Sequence, residues 1–421
     1  MHDGERVRVA PSSSPTDVHD AVAAWVEQTV PPAWRDAAVD GRAAIREVRS
    51  RGDYETWYPT FARSGLVVST WPVEYGGLDL SPDLARVAER VLAPLNLGRL
   101  NPLGLHNTAS ALFAHGTEAQ RARFLPPLVA NEERWCQMFS EPGAGSDLAS
   151  LAMRAEADGD EWVLSGQKVW STWAHRSEFA ICLARSDPSA PKRRGITYFL
   201  VDLRSDGVEV RELRHMGGAV DFNEVWLDDV RVPDFHRVGQ AGDGWTVAAA
   251  TLAGERQMVA GAGSGGVDRI GGSGVDSLIT RAAQRAVGAV GRDRLAALYA
   301  DDRTRAWTNG RVRSTVAAGG TPGPAASIGK VHQGRLNQDI QLVATDSLGL
   351  DATAWVGSGG DGPEGWAADL PYEVAGMIRS RANTIEGGTT EVNKNVVGEK
   401  VLGLPREPDP FHGEAWEDVP R

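Results

Sequence analysis

The chain has 421 residues, of which 42% are hydrophobic and 24% charged, and its 56 acidic and 44 basic side chains give a formal net charge of -12. This composition is ordinary for a globular protein, and the length corresponds to about two or three domains. The acidic balance argues against a nucleic-acid-binding surface, because affinity for a phosphate backbone comes mainly from clustered Lys and Arg.

The first part of the chain has a helical pattern. From Pro15 to about Leu128 the apolar residues recur at helical spacing, as in "DVHDAVAAWVEQTV" and "DLARVAERVLAPL". Asp17 and Ser81 are predicted helix N-caps, and Pro82 is predicted at a first helical position. The segment is therefore predicted to be mostly α-helical.

Between roughly residues 135 and 235 the pattern changes to that of a β unit. The segments are short, rich in β-branched and aromatic residues, and separated by Gly, Pro, Asp and Ser, which is typical of strands. The predicted strands are "EWVLSGQKVWST", "EFAICLARS", "GITYFLVDL", "GVEVRELRH" and "NEVWLDDVRV". Within this unit "VLSGQ" and "RSDGVEV" are predicted to form tight turns.

Helical spacing returns from about Gly244. The glycine-rich run at 261–276 is predicted as either a loop or a helix that packs closely, and residues 356–369 as a solvated loop. The acidic, proline-rich tail after Pro405 is predicted to be poorly ordered unless it docks on a neighbour.

Helices, a β unit and helices again predict an α+β fold in layered domains. The predicted units are an N-terminal helical domain over 1–130, a central β domain over 131–240, a C-terminal helical domain over 241–405 and an acidic tail over 406–421. No secretory signal or transmembrane segment is recognisable. Cys136 and Cys182 form no metal-ligand spacing, and two cysteines are too few for a disulfide framework, so a cytoplasmic protein is predicted.

Two motifs in the β unit contain side chains suited to a polar ligand. The loop "SEPGAGSD", from Ser140 to Asp147, combines glycines and hydroxyls that can direct several N–H groups at one acceptor, although a glycine-rich loop alone is more often an ordinary turn. Trp170, Ser171 and Thr172 combine an aromatic face with hydroxyls, which suits a flat heteroaromatic cofactor. A strand tryptophan alone is more often a core residue.

Together these motifs resemble the acyl-CoA dehydrogenase family. The resemblance covers roughly residues 17–406 and rests on "CQMFSEPGAGSDLASLAMRAEADGDEWVLSGQKVWST", "GITYFLVDL", "VWLDDVRVP", "LAGER" and "IEGGTTEVNKNVVGEKVLGLPRE", in this order. It implies an N-terminal helical domain, a central β-barrel or sandwich domain and a C-terminal four-helix bundle, with FAD between the β domain and the helices. It also implies an acyl-CoA substrate and an electron-transfer flavoprotein as electron acceptor.

The resemblance also implies which residues form the site. The flavin is expected to contact Phe139 and Ser140 largely through backbone and hydroxyl groups, and Thr172 is expected near flavin N5. The remaining expected cofactor contacts are Gly145, Trp170, Ser171, Thr389 and Glu391. Ser146 lies where the family binds the pantetheine arm of the substrate.

The reaction needs a carboxylate that removes the α-proton of the thioester, and two glutamates match on residue type. Alignment of "GGT" with the "EGT" of medium-chain members puts Gly387 at their catalytic position, beside Glu386. Isovaleryl and long-chain members instead carry the base in an "ER" pair after an apolar run, which "LAGER" matches. The resemblance therefore favours Glu255 as base, with Gly387 donating a backbone N–H to the thioester oxygen. Arg256 is expected either to shape the substrate pocket or to bind a polar group of the substrate.

The chain departs from the family at two places. It lacks the "R-x-x-F-G" segment with which a neighbouring subunit grips the FAD pyrophosphate, having "LITRAAQRAVGAVGRDRLAAL" instead, and the glycine-rich adenine segment is altered to "DSLGLDATAW". In these departures the chain resembles the heteromeric acyl-CoA dehydrogenases of actinobacterial steroid catabolism. That resemblance implies an α2β2 assembly with a related subunit, and a homo-oligomer is the alternative.

Two alternatives to the dehydrogenase are a non-catalytic partner subunit and a flavin oxidase or hydroxylase on the same fold. Small residues near Glu255 favour a bulky or branched acyl group, such as a steroid side chain. These small residues are Ala253, Gly254, Gly261 and Gly263.

Overall fold

The computed structural model describes residues 6–259, 273–284, 287–318, 320, 323–353 and 370–420. Its N-terminal part is helical, as predicted. The helices are α1 (Pro15–Thr29), α2 (Pro32–Asp40), α3 (Arg42–Val48), α4 (Arg51–Arg63), α5 (Pro82–Leu92), α6 (Ala109–His115) and α7 (Glu118–Val129). A π-helical turn, Gly104–Thr108, leads into α6.

Of the two predicted helix N-caps, one is confirmed and the other is wrong. Ser81 accepts a hydrogen bond from the Leu84 N–H and caps α5, with Pro82 in its first turn, so that prediction is confirmed. The prediction of Asp17 as a cap is wrong, because Ser14 caps α1 and Asp17 is its capping-box partner. Serine and aspartate are both favourable N-cap residues. Here the Ser14 hydroxyl accepts from the Asp17 N–H and the Asp17 carboxylate accepts from the Ser14 N–H, which puts Ser14 at the N-cap.

The β unit contains eight strands in one sheet. They are β1 (Trp135–Met138), β2 (Arg154–Asp158), β3 (Glu161–Thr172), β4 (Phe179–Arg185), β5 (Ile196–Asp202), β6 (Val208–Leu213), β7 (Phe222–Pro233) and β8 (Arg237–Val238). The sheet order is β6-β7-β3-β2-β4-β5-β8, and β1 pairs in parallel with β4. All five predicted strands are present.

One of the two predicted turns is wrong. "VLSGQ" lies inside β3, where the register against β7 shifts between Leu164 and Gly166. Gly166 has φ +150°, and a Cβ there would lie 3.0 Å from the Met153 Cα. The glycine therefore marks a bulge in a long strand, a role that sequence pattern does not separate from a turn. The second predicted turn, at Ser205–Gly207, is confirmed before β6.

Strands β4 and β5 join the central sheet to the N-terminal helices. Every residue of β4 is buried, because alternate side chains enter two different cores. Ile181 and Tyr198 pack with the N-terminal helices, whereas Cys182 and Phe199 pack inside the β unit. Phe139, which belongs to the site described below, packs in the core shared with the N-terminal helices.

The C-terminal part is again helical. It contains α8 (Gly244–Val259), α9 (Val275–Gln284), α10 (Ala289–Ala317), α11 (Ala326–Asp346), α12 (Tyr372–Ser380) and α13 (Thr390–Val396). Helix α11 contacts α10, α12 and α13, whereas α8 packs on α6, the π-helical turn and β5. Most of the glycine-rich run at 261–276 and the whole of 356–369 lie outside the described residues.

Two further features concern the ends and surface of the chain. The tail is docked at its end, because Trp416 is buried and its N–H donates to the Ala190 carbonyl. The tail therefore finds its partner within the same chain, a contact that its composition did not predict. In the ranges that the structure describes, no helix combines the length and the apolarity needed to cross a bilayer.

Candidate active site

A buried ion pair anchors the "SEPGAGSD" loop. The Lys168 Nζ lies 2.8 Å from the Glu141 Oε1, and the lysine side chain is 0% exposed. The other hydrogen bonds of Glu141 come from the N–H groups of Ala152 and Met153, at 2.7 and 3.0 Å. One carboxylate therefore holds both ends of the loop, because it joins residue 141 to the start of β2.

The same lysine positions the segment predicted to meet the flavin. Its Nζ also donates to the Phe139 carbonyl, at 3.1 Å. The Phe139 ring is only 3% exposed and packs edge-on against Tyr198, with 5.9 Å between centroids. Ser140 is half-buried, and its carbonyl accepts from the Val169 N–H. In the segment Phe139–Ser140, the groups that remain available to a cofactor are therefore the backbone and the Ser140 hydroxyl.

The middle of the loop faces outward. Gly145 and Ser146 are exposed, and Asp147 contacts the Lys192 ammonium. Burial alone would raise the pKa of Asp147, but hydrogen bonds from Lys192 and Ser150 outweigh it and hold that pKa below its ordinary value. Asp147 is therefore a fixed anion beside Ser146.

Trp170 stands out at the end of β3. A second register shift, between Lys168 and Ser171, places Trp170 at φ +62° with 54% of its surface exposed. A bulky residue held in the left-handed region is strained, and such strain concentrates at functional sites. The indole stands edge-on to Phe222 at 5.6 Å, which offers a flat aromatic face at the surface.

Ser171 and Thr172, the two hydroxyl-bearing residues after Trp170, differ in solvent exposure. Thr172 is half-buried and pairs with Phe222 across the sheet. Ser171 is 0% exposed, and its hydroxyl has no hydrogen-bond partner among the described residues. Thr172 is therefore the more accessible of the two, and a cofactor contact of Ser171 stays a prediction.

Helix α8, which carries the predicted base segment, packs on β5. The Thr251 hydroxyl lies 2.9 Å from the Tyr198 hydroxyl, and both residues are fully buried. Burial raises the pKa of Tyr198, so this hydroxyl stays protonated. Position 255 follows Thr251 by four residues, which is about one helical turn. The side chains of Glu255 and Arg256 lie outside the described residues.

Glu386, the other candidate for the base, is already paired. Glu386 accepts from Arg379 at 2.8 Å and from the Asn383 amide at 2.9 Å. The next two residues form a left-handed turn, with φ +63° at Gly387 and +86° at Gly388, a conformation that favours glycine. The Glu386 carboxylate is therefore already engaged in an ion pair and a side-chain hydrogen bond.

The two remaining predicted cofactor residues lie at the start of α13. Thr389 caps this helix by accepting from the Val392 N–H at 3.2 Å, and Glu391 lies in its first turn. Both border an open cavity of about 470 Å³. Arg335 and Lys394 also line it, so the cavity offers two cationic side chains beside the Glu391 carboxylate.

The comparisons with known proteins agree with this architecture. Models of the N-terminal, middle and C-terminal domains of acyl-CoA dehydrogenases match residues 14–132, 136–230 and 242–402. The chain belongs to the acyl-CoA dehydrogenase family. This membership confirms the predicted fold, the enzyme class and FAD as the cofactor.

This acyl-CoA dehydrogenase has relatives in Mycobacterium tuberculosis. Acyl-CoA dehydrogenase FadE34 is 37% identical over 365 residues, which are 86% of this chain and 48% of FadE34. Acyl-CoA dehydrogenase IpdE1 is 36% identical over 375 residues, which are 86% of this chain and 91% of IpdE1. The chain thus spans about half the length of FadE34 and most of IpdE1.

A solved structure is also similar to this acyl-CoA dehydrogenase. The Tcur3481-Tcur3483 steroid ACAD matches with a TM-score of 0.70 and 26% identity, covering 95% of this chain and 100% of that chain. The fold is therefore shared along nearly the whole length.

Sequence reasoning missed the ion pair that supports the acyl-CoA dehydrogenase motifs. Glu141 and Lys168 lie within the two quoted motifs, but no charge pattern links residues 27 apart in the chain. The available signal was one charged residue close to apolar residues in each motif, Glu141 shortly after "MF" and Lys168 before "VW", since a buried charge needs a partner.

Proposed function

We propose that this chain converts an acyl-CoA thioester to the trans-2-enoyl-CoA, with Glu255 as the base that removes the α-proton. The observation that carries the proposal is the contact of α8 with Tyr198 of β5. The Thr251 hydroxyl bonds the Tyr198 hydroxyl, and the Tyr198 ring contacts Phe139, so one buried tyrosine links α8 to the segment proposed to meet the flavin. Residues four apart lie on the same helical face, and this spacing from Thr251 supports the choice of Glu255.

The pairing of Glu386 supports the choice between the two glutamates. Its carboxylate accepts hydrogen bonds from the Arg379 guanidinium and the Asn383 amide, so it is already engaged by its own segment. Gly387, in the adjacent turn, would donate its N–H to the thioester oxygen, where negative charge develops as the α-proton leaves. Arg256 would shape the pocket beside the base.

The residues present fit a flavin. The strained, exposed indole of Trp170 offers a ring-sized aromatic face, and Arg335 and Lys394 in the cavity beside Thr389 are cationic groups that could pair with a phosphate. We infer that Ser140, Thr172 and the exposed Gly145 complete the contacts. When bound, FAD supplies the acceptor for the β-hydrogen, which leaves as hydride.

Ser146 is proposed to bind the pantetheine arm, because it is exposed on the loop that Glu141 and Lys168 anchor. The small residues around position 255 support a bulky or branched acyl group. The name of the similar Tcur3481-Tcur3483 steroid ACAD supports the same substrate class. A steroid side-chain thioester is therefore the first substrate to test.

The test is anaerobic reduction of the bound flavin by a panel of acyl-CoA thioesters. We expect bleaching of the visible flavin band by branched or steroid side-chain thioesters, faster than by straight chains, followed by slow reoxidation in air. Bleaching by none of them would point to a non-catalytic subunit. Rapid reoxidation by oxygen would point to an oxidase or hydroxylase. Activity with straight chains alone would reject the bulky substrate.

We also propose an α2β2 assembly with a related subunit. Several large apolar side chains of the C-terminal part are exposed in the single chain, among them Trp307 at 71%, Ile385, Leu402 and Leu404. Such a set is typical of a protein interface. The altered pyrophosphate and adenine segments support a partner of a different sequence. Electron-transfer flavoprotein is the proposed electron acceptor, and two buried free cysteines support a cytoplasmic setting.

Co-expression tests the partner. The chain produced alone is expected to contain substoichiometric FAD, because one subunit leaves the phosphate grip incomplete, and co-expression with a related subunit from the same genome should restore one flavin per site. Flavin content and mass by light scattering measure this directly. A yellow, active homo-oligomer would show that no second chain is required.

A further inference from the structure

The end of the tail is built into the β unit. Residues 414–420, which we call the C-terminal strap, pass beside the loop between β4 and β5. Ala415 pairs with Pro191, and the N–H groups of Trp416 and Glu417 donate to the carbonyls of Ala190 and Pro188, at 3.0 and 3.1 Å. Trp416 is only 8% exposed.

The indole of Trp416 covers a buried arginine. The Arg185 Cζ lies 4.4 Å from the centroid of the Trp416 ring, and Arg185 is itself buried. A guanidinium stacked on an aromatic face is held in position and shielded from water. The strap therefore covers one face of the Arg185 guanidinium.

Arg185 in turn holds the loop that carries Ser146. Its Nη2 donates to the Ala149 and Leu151 carbonyls, at 2.7 and 3.1 Å. Its Nη1 donates to the Lys192 carbonyl at 2.8 Å, and the Lys192 ammonium contacts Asp147. Both ends of the segment 147–151 are thus tied to one guanidinium, either directly or through Lys192.

We propose that Trp416 is a positioning residue for the acyl-CoA substrate, acting through Arg185 on the loop that presents Ser146. The proposal rests on the proposed function only in assigning Ser146 to the substrate. Trp416 touches neither substrate nor flavin in this scheme. Its effect is to keep the loop ordered before the thioester arrives, which lowers the entropic cost of binding.

The experiment compares Trp416→Ala with two matched variants. Trp416→Phe keeps an aromatic face over Arg185, and Phe411→Ala removes an exposed ring from the same tail outside the strap. Hydrogen exchange of the substrate-free protein reports on the amides of Ser150 and Leu151, which donate to the Asp147 and Leu148 carbonyls. We expect exchange about tenfold faster in Trp416→Ala and near wild type in both other variants.

Steady-state kinetics provide the second measurement. In Trp416→Ala, the KM for the acyl-CoA should rise about tenfold while kcat stays within about twofold, because only ground-state positioning is lost. Trp416→Phe should recover most of the KM. A chain that ends at Gly413 removes the whole strap and should reproduce both effects, which covers the case in which Trp416→Ala folds poorly.

Each contrary outcome is distinct. Unchanged exchange of the 147–151 segment in both Trp416→Ala and the shortened chain would overturn the coupling, whatever reaction the protein catalyses. Faster exchange with an unchanged KM would overturn the positioning role. A wild-type protein without acyl-CoA activity would refute the proposed function, while the exchange comparison would still decide whether the strap orders the loop.

Discussion

Replacing Glu255 by Gln is expected to slow bleaching of the flavin by acyl-CoA about 10²–10⁴-fold, the usual contribution of a positioned general base. Glutamine keeps the size and the hydrogen-bonding atoms of the side chain but cannot accept the α-proton. Stopped-flow reduction under anaerobic conditions measures the step directly. The flavin content and the thermal midpoint should stay near wild type, because the substitution removes a charge without opening a cavity.

Glu386→Gln is the matched control, since it removes the other carboxylate that the sequence motifs offered. Glu386 is about one-third exposed and paired with Arg379, so its replacement should cost little stability and little rate. If Glu386→Gln abolished bleaching while Glu255→Gln reacted at the wild-type rate, the base would have to be reassigned to Glu386. Equal, moderate losses in both variants would refute a single carboxylate base.

The sequence alone was sufficient to predict elements that depend on local residue type or on the spacing of apolar residues. Short segments rich in β-branched and aromatic residues predicted β3, β4, β5, β6 and β7, because a strand needs only local pattern and burial. The motif residues 139–147 and 170–172 could also be located, because their order along the chain is itself the signal.

Features that depend on contacts between distant residues could not be predicted. The glycine of "VLSGQ" reads locally as a turn, and only the pairing of β3 with β7 shows that it marks a bulge. Ser171 was grouped with Trp170 and Thr172, yet the bulge turns Trp170 outward and leaves Ser171 enclosed. The docking of Trp416 on Arg185 joins residues that are far apart in the chain, and composition alone favoured a disordered tail.

Lys168→Met is expected to lower the free energy of unfolding by about 3–5 kcal/mol, the usual cost of leaving a buried charge without its partner. Methionine fills a similar volume, so the loss comes from the uncompensated Glu141 carboxylate rather than from a cavity. The Phe139 carbonyl also loses its donor. Chemical denaturation followed by the circular dichroism of the β domain measures the change.

Lys192→Met is the matched control, because Lys192 also pairs with an acidic residue but lies at the surface. Exposed pairs contribute about 0–1 kcal/mol, so this variant should unfold close to wild type. The double variant Glu141→Gln with Lys168→Met should regain part of the loss, because the amide carries no unpaired charge and still accepts from the Ala152 or Met153 N–H. If Lys168→Met unfolded like Lys192→Met, the pair would not be the anchor of the loop, and the positions of Phe139 and Ser140 would have to be fixed by the packing of Phe139 against Tyr198 instead.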